Sequence, residues 1–142
     1  MQKKIKIVID TCVWIEYMFS KRTNDALTKI FTDSRFEIIS NTELKNEVLS
    51  TAKRPKFLKL IPANVIEMLE IFFEDRTKDV QTKSKVKVCR DPKDDYILSL
   101  CKDSKADYLI SIDKDLLVIK NFEGSTICSL TEFYKLYLQN ND

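Results

Sequence analysis

Carboxylates are the side chains best able to do chemistry in this sequence, because its 142 residues include no histidine. The lack of imidazole excludes Ser-His-Asp and Cys-His catalysis, so an enzyme would rely on acidic residues, lysine, tyrosine, cysteine or a metal ion. Two aspartates occupy similar places: Asp10 ends the run IKIVID, and Asp113 follows the run DYLIS. Each could instead be a helix N-cap, but two acids at the ends of neighbouring strands would share a site.

Two glutamates, Glu43 and Glu47, lie one helical turn apart and therefore share a helix face. In the stretch SNTE, Ser40 and Glu43 fit a capping box, in which Glu43 reaches back to the start of the helix. That interpretation leaves Glu47 without a local role and makes it a candidate site acid. A solvated helix face is the alternative for Glu47.

Three aspartates lie close together in RDPKDDYIL. Asp91 fits an N-cap before a proline, and Asp94 fits a first-turn acid near the positive end of the helix. Asp95 is the acid left over, and it becomes the third candidate for the site. A solvated helix face is again the alternative.

Clustered carboxylates of this kind favour a hard divalent cation. They repel one another unless a cation compensates their charge, and oxygen ligands without imidazole suit Mg²⁺ or Mn²⁺ and disfavour zinc. The four cysteines are widely spaced with no CxxC pair, so we expect reduced thiols: Cys12, Cys89, Cys101 and Cys128.

The elements that must position these acids alternate between strands and helices. Strand-like runs lie at 4–9, 36–39, 108–111 and 125–128, and helical patterns lie at 13–19, 24–32, 42–52, 63–75, 92–104 and 130–138. Such alternation predicts an α/β fold, a parallel sheet with helices on both faces. In that architecture ligands bind at the carboxyl ends of the strands, where Asp10 and Asp113 are expected.

Composition favours one globular domain over residues 1–142. The chain is 44% hydrophobic and 32% charged, with a single glycine and three prolines, so it offers no flexible linker at which to divide it. The apolar run near the start is too short for a signal peptide, and no run approaches the ~18 apolar residues of a membrane span. We therefore expect a cytoplasmic protein with no membrane partner.

The stretches VIDTCVWI, ELKNEVLSTAKRPKF, CRDPKDDYILSLCKDSKADYLISIDKDLL and STICSLTEFYKLY together resemble the PIN-domain family of metal-dependent nucleases. Within that family they are most similar to the VapC-like toxins of bacterial toxin-antitoxin systems. The resemblance implies an acidic quartet of catalytic metal ligands at Asp10, Glu47, Asp95 and Asp113, with Thr11 and Ser111 as supporting hydroxyls. Cys12 stands where the family usually has Asn or Ser, which removes an amide close to Asp10.

The resemblance also implies a fold and partners. The fold is a PIN-like parallel sheet of about five strands, with the acids above the first and fourth strands. The implied activity is Mg²⁺- or Mn²⁺-dependent hydrolysis of RNA by an endoribonuclease. The implied partners are a cognate antitoxin protein and a second copy of the chain in a homodimer.

Charge supports a nucleic-acid partner only locally, because the net charge is +2. Two basic clusters adjoin the candidate acids: one of Lys53, Arg54, Lys56 and Lys59, and one of Lys83, Lys85, Lys87 and Arg90. Both could contact phosphates, and a solubilising surface is the alternative.

Three other classes remain open at this level. A receiver-type signalling domain needs an acidic pair after its first strand, where this chain has the single acid Asp10. A haloacid-dehalogenase-type phosphatase needs Asp-x-Asp, and this chain has DTC at that place. The third class is a catalytically weak PIN-like protein that acts mainly by binding a protein partner.

Overall fold

The computed structural model describes residues 3–89 and 91–138, and its centre is a six-stranded sheet. The strands are β1 (Ile5–Ile9), β2 (Phe36–Ser40), β3 (Lys78–Asp79), β4 (Tyr108–Ile110), β5 (Asn121–Phe122) and β6 (Ser125–Cys128). They are arranged in the order β3-β2-β1-β4-β6-β5, and every pair is parallel except β5 with β6. The predicted α/β fold with a mostly parallel sheet is confirmed.

The sheet has one strand more than the five or so expected. The extra strand, β5, forms a hairpin with β6 through Glu123 and Gly124, whose φ angles are 49° and 87°. Positive φ at both central residues is the signature of the tight turns that join two antiparallel strands. A two-residue strand gives too short a pattern to be recognised in the sequence.

Helices surround the sheet and follow the predicted pattern. They are α1 (Thr11–Phe19), α2 (Lys21–Phe31), α3 (Thr42–Ala52), α4 (Pro55–Leu58), α5 (Ala63–Arg76), α6 (Asp95–Ser104), α7 (Lys114–Leu117) and α8 (Leu130–Tyr137), with a short 3₁₀ helix at Pro92–Asp94. The sequence did not predict the one-turn helices α4 and α7. Within the described part of the chain, no helix has the length and apolar character needed to cross a membrane.

A capping box begins α8, but the one expected at the start of α3 is absent. Ser129 and Glu132 form the capping box at the start of α8. At α3, however, β2 extends through Ser40, so the cap moves one residue along to Asn41, whose side-chain oxygen accepts a hydrogen bond of 2.7 Å from the Leu44 amide. Glu43 lies exposed in the first turn and is not part of a capping box.

Trp14 fixes α1 against the core. Its fully buried ring lies 4.7 Å from the ring of Phe73 and 5.5 Å from that of Phe31, centroid to centroid. Aromatic contacts of this kind add to the large apolar area that such side chains bury. Because α1 begins immediately after Asp10, this packing also holds the backbone that carries the first candidate acid.

The register of β1 and β4 determines where the candidate acids lie. Ile9 pairs with Ile110, and the amide of Asp10 donates to the carbonyl of Ile110 at 2.9 Å. The chain builds outward from β1 through β2 to β3 and then returns to the other side with β4 and β6, so the strand order reverses between β1 and β4. That point is where open parallel sheets bind ligands, and the residues following β1 and β4 meet there.

Candidate metal centre

Asp10 is a buried carboxylate at the end of β1. One oxygen accepts a 2.8 Å hydrogen bond from the Thr11 amide, and the other accepts one of 2.8 Å from the Ser111 hydroxyl. Burial raises the pKa of Asp10, these two hydrogen bonds oppose that effect, and the charges of Asp113 and Glu47 raise the pKa further. The same Ser111 oxygen accepts a 3.0 Å hydrogen bond from the Asp113 amide, so Ser111 links the two strand ends.

Three carboxylates meet beside Asp10. One oxygen each from Asp94, Asp113 and Asp115 lie within 4.8 Å of one another. Asp113 caps α7 by accepting a 2.9 Å hydrogen bond from the Asp115 amide, while Asp94 ends the 3₁₀ helix before α6.

The crowding of carboxylates affects the ionisation of Asp94. The pKa of Asp94 is raised to about 7, chiefly by burial and then by the neighbouring Asp113 and the charges of Asp10 and Asp91. Neighbouring carboxylates cannot all ionise without mutual repulsion, and a bound cation would compensate their charge. Asp10 contributes negative charge to the same place.

Asp95 does not face this group, contrary to the sequence-based expectation. One oxygen of its carboxylate accepts hydrogen bonds from the amides of Val88 at 3.0 Å and Cys89 at 2.7 Å. These contacts lower the pKa of Asp95, the opposite of the shift at Asp94. Consecutive residues on a helix point about 100° apart, so the two neighbouring aspartates cannot serve the same site.

Glu47 approaches from α3 and is held by Tyr96. The phenol of Tyr96 donates a short hydrogen bond to the Glu47 carboxylate, and its oxygen lies 3.3 Å from the hydroxyl of Thr11. Burial and Glu47 both raise the pKa of Tyr96, so the phenol stays a neutral donor. Glu47 is exposed to solvent, yet its charge acts on Asp10.

Comparison with known proteins decides the family. A family model described as "PIN domain" matches residues 6–115, most of the chain. The chain belongs to the PIN domain family. PIN domains are typically metal-dependent nucleases, which agrees with an oxygen-rich acidic group at the carboxyl edge of the sheet.

A solved structure supports the same fold. The PIN domain of human SMG5 is similar to this PIN domain with a TM-score of 0.54 and 15% sequence identity, over 93% of this chain and 98% of that one. Identity at this level shows the fold alone. No curated protein matches the chain.

The donors at the acidic centre of this PIN domain fit a hard divalent cation. All three atoms within 4.8 Å of one another are carboxylate oxygens, the ligands that Mg²⁺ and Mn²⁺ prefer. Cys12 lies beside them, but burial and the charges of Asp10, Asp113 and Glu47 raise the pKa of its thiol. The thiol therefore stays protonated and adds no soft thiolate ligand.

Sequence reasoning missed three residues of this centre. The sequence interpretation assigned Asp94 to the start of the helix and Asp95 to the site. In the structure Asp95 instead accepts hydrogen bonds from the Val88 and Cys89 amides. Asp115, two residues after Asp113, was visible in IDKDLL as a second acid beside the N-cap. Tyr96 had no sequence signal, because its role depends on a side-chain contact with Glu47, a residue 49 positions away in the chain.

The neighbouring aspartates are expected to respond oppositely to substitution. Asp94→Asn should lower Mn²⁺ affinity by about tenfold or more, because it removes a negative oxygen ligand from the acidic centre. Asp95→Asn should keep the Mn²⁺ response and lose about 1 kcal/mol of metal-free stability, because it weakens two hydrogen bonds to backbone amides. Calorimetric Mn²⁺ titration and thermal unfolding with and without Mn²⁺ measure both effects. Loss of Mn²⁺ binding in Asp95→Asn alone would contradict the assignment.

Proposed function

We propose that this PIN domain is a Mg²⁺- or Mn²⁺-dependent endoribonuclease that hydrolyses phosphodiester bonds in RNA. The observation that carries the proposal is the group of Asp94, Asp113 and Asp115, whose oxygens lie within 4.8 Å of one another beside the buried Asp10. Burial and mutual repulsion make this group costly to ionise without a cation, as the raised pKa of Asp94 indicates.

The side chains would have different roles at such a site. Asp94 and Asp113 would hold the cation, with Asp115 and Asp10 adding negative charge. A bound divalent ion would compensate the charge of the scissile phosphate and lower the pKa of the attacking water. The chain has no histidine that could activate that water instead. Ser111 keeps Asp10 and Asp113 in place, and Tyr96 keeps Glu47 at the solvent side of the site.

The choice of RNA as substrate rests on the resemblance of the motifs and on positive charge beside the site. A basic cluster follows α3, the helix that carries Glu47, and all four of its side chains are exposed: Lys53, Arg54, Lys56 and Lys59. Exposed cations next to a carboxylate centre would hold phosphates that the carboxylates themselves repel.

We further propose that the nuclease is the cytoplasmic toxin of a toxin-antitoxin pair and works as a homodimer. The resemblance of its motifs to VapC-like toxins supports this role. An Arg or Lys side chain of the antitoxin would enter the acidic centre and take the place of the cation.

Co-expression with the adjacent reading frame tests the toxin role. If this chain arrests growth, its neighbour should restore growth, because inhibition and binding use the same acidic centre. A neighbour that binds the chain and leaves its toxicity unchanged would contradict inhibition by this route. Size-exclusion chromatography with light scattering measures the oligomeric state in the same preparations, and a monomer at all concentrations would contradict the homodimer.

Cleavage of RNA is the direct test of the proposed activity, with two glutamates of α3 as a matched pair. The wild-type protein should cleave a mixed RNA pool in Mn²⁺ or Mg²⁺ and not in EDTA. Glu47→Gln should lower the cleavage rate by about tenfold or more, because Glu47 faces the site. Glu43→Gln makes the same chemical change at an exposed position one turn away and should cleave like the wild type.

Two outcomes would contradict the proposal. Stabilisation by Mn²⁺ without cleavage of any RNA would favour the alternative, a catalytically weak protein that acts by binding a partner. An inactive Glu43→Gln beside an active Glu47→Gln would show that the wrong glutamate has been assigned to the site.

A further inference from the structure

Residues 83–89 form a strap that lies along α6 and carries a row of lysines. Over residues 83–87 the exposure of the side chains alternates: Lys83, Lys85 and Lys87 are exposed, whereas Ser84 and Val86 are half-buried; Val88 beyond them is exposed. Val86 packs against the hydrophobic core. The three ammonium groups therefore share the outer side of the strap. Arg90, the fourth member of this basic cluster in the sequence, lies outside the described residues.

The strap is attached to one face of α6 through its backbone. Asp103 accepts hydrogen bonds from the amides of Lys83 at 2.6 Å and Ser84 at 2.8 Å, and its other oxygen bonds the Ser84 hydroxyl. Ser99 accepts one from the Val86 amide at 3.0 Å. Asp95 accepts the hydrogen bonds from the Val88 and Cys89 amides, so the role of this aspartate is to hold the strap. Asp95, Ser99 and Asp103 are spaced four residues apart and share a helix face.

These attachment points determine the spacing of the lysines. Residues four apart on an α-helix are separated by about 6 Å along its axis. Between successive attachment points the strap advances two to three residues, so it rises about 2.4 Å per residue along the helix, less than the ~3.3 Å of a fully extended strand. The backbone positions of the lysines, two residues apart, are therefore spaced about 5 Å along the helix axis. This spacing is fixed before any ligand binds.

The row of lysines leads to the acidic centre. The strap runs antiparallel to α6, from Asp103 near the end of the helix to Asp95 at its start, and Asp94 is the next residue back along the chain. In the described part of the chain, the salt bridges involve other side chains and leave the three strap lysines available. A polyanion lying along the strap would therefore arrive at Asp94 and Asp113.

We propose that the strap binds the phosphate backbone of single-stranded RNA and guides it to the acidic centre. This inference rests on the proposed ribonuclease function and assigns the strap as the surface that holds the phosphates of its substrate. One line of evenly spaced point charges follows one backbone, whereas a duplex presents two backbones on a wide surface. Because the backbone hydrogen bonds to α6 preorganise the lysines, binding does not have to order a flexible loop.

Neutralising the lysine row tests the proposal. Lys83→Gln, Lys85→Gln and Lys87→Gln together should weaken binding of a labelled single-stranded RNA about tenfold and reduce the slope of log K against log salt by about 2. Fluorescence anisotropy in EDTA measures binding without cleavage. The control variant, Lys3→Gln, Lys4→Gln and Lys135→Gln, makes the same charge change at exposed positions outside the strap. Equal losses in both variants would overturn the proposal.

A second variant separates geometry from charge. Asp103→Ala removes a negative charge, so long-range electrostatics alone would strengthen RNA binding. It also removes the acceptor of the Lys83 and Ser84 amides, so a preorganised strap predicts weaker binding. Weaker binding by a variant whose circular dichroism matches the wild type supports the strap, and tighter binding overturns it. Binding to duplex RNA that exceeds binding to the single strand also overturns it.

Failure of this inference differs from failure of the proposed function. If the wild type cleaves RNA and the lysine row has no effect on binding, the strap proposal is wrong and the ribonuclease stands. If RNA binds through the lysine row and no cleavage occurs with Mn²⁺ or Mg²⁺, the strap proposal stands and the ribonuclease is wrong.

Discussion

Repulsion between carboxylates is the constraint on which the rest of this structure depends. The side chains of Asp94, Asp113 and Asp115 bring oxygens within 4.8 Å of one another, and ionised groups at that distance separate unless the fold or a cation holds them. The fold does so through rigid attachments. Parallel pairing of β1 with β4 sets Asp10 beside Ser111, and Ser111 binds both the Asp10 carboxylate and the Asp113 amide.

The adjacent residues Asp94 and Asp95 show how one helix start serves two purposes. Asp94 faces the acidic centre, where burial and Asp113 raise its pKa to about 7. Asp95 accepts hydrogen bonds from two backbone amides of the strap, and these hydrogen bonds lower its pKa. Since a helix turns about 100° per residue, the pair joins the lysine row on one side to the carboxylates on the other. Catalytic chemistry and substrate guidance would thus share a single rigid element.

The sequence predicts those parts of this arrangement that depend on the periodicity of apolar residues and on where the strand-like runs end. Alternating strands and helices gave the α/β fold, and the positions of Asp10 and Asp113 followed from the runs that precede them. The structure places Asp94 and not the expected Asp95 among the carboxylates, a difference that depends on helical phase within a 3₁₀-to-α junction that propensity does not resolve. The cap of α3 shifted to Asn41 because β2 is one residue longer than its apolar run. The role of Tyr96 depends on its long-range contact with Glu47, which no local pattern encodes.

The central claim is that Asp94 and Asp113 hold a divalent cation while Asp95 holds the strap. Anomalous diffraction from crystals grown with Mn²⁺ tests it most directly, because the signal locates the ion independently of the protein's atoms. The account expects an anomalous peak within ligand distance, about 2.2 Å, of oxygens from both Asp94 and Asp113, with Asp95 still accepting the Val88 and Cys89 amides. A peak bound by Asp95 with Asp94 turned away, or no peak among these carboxylates, would contradict the account.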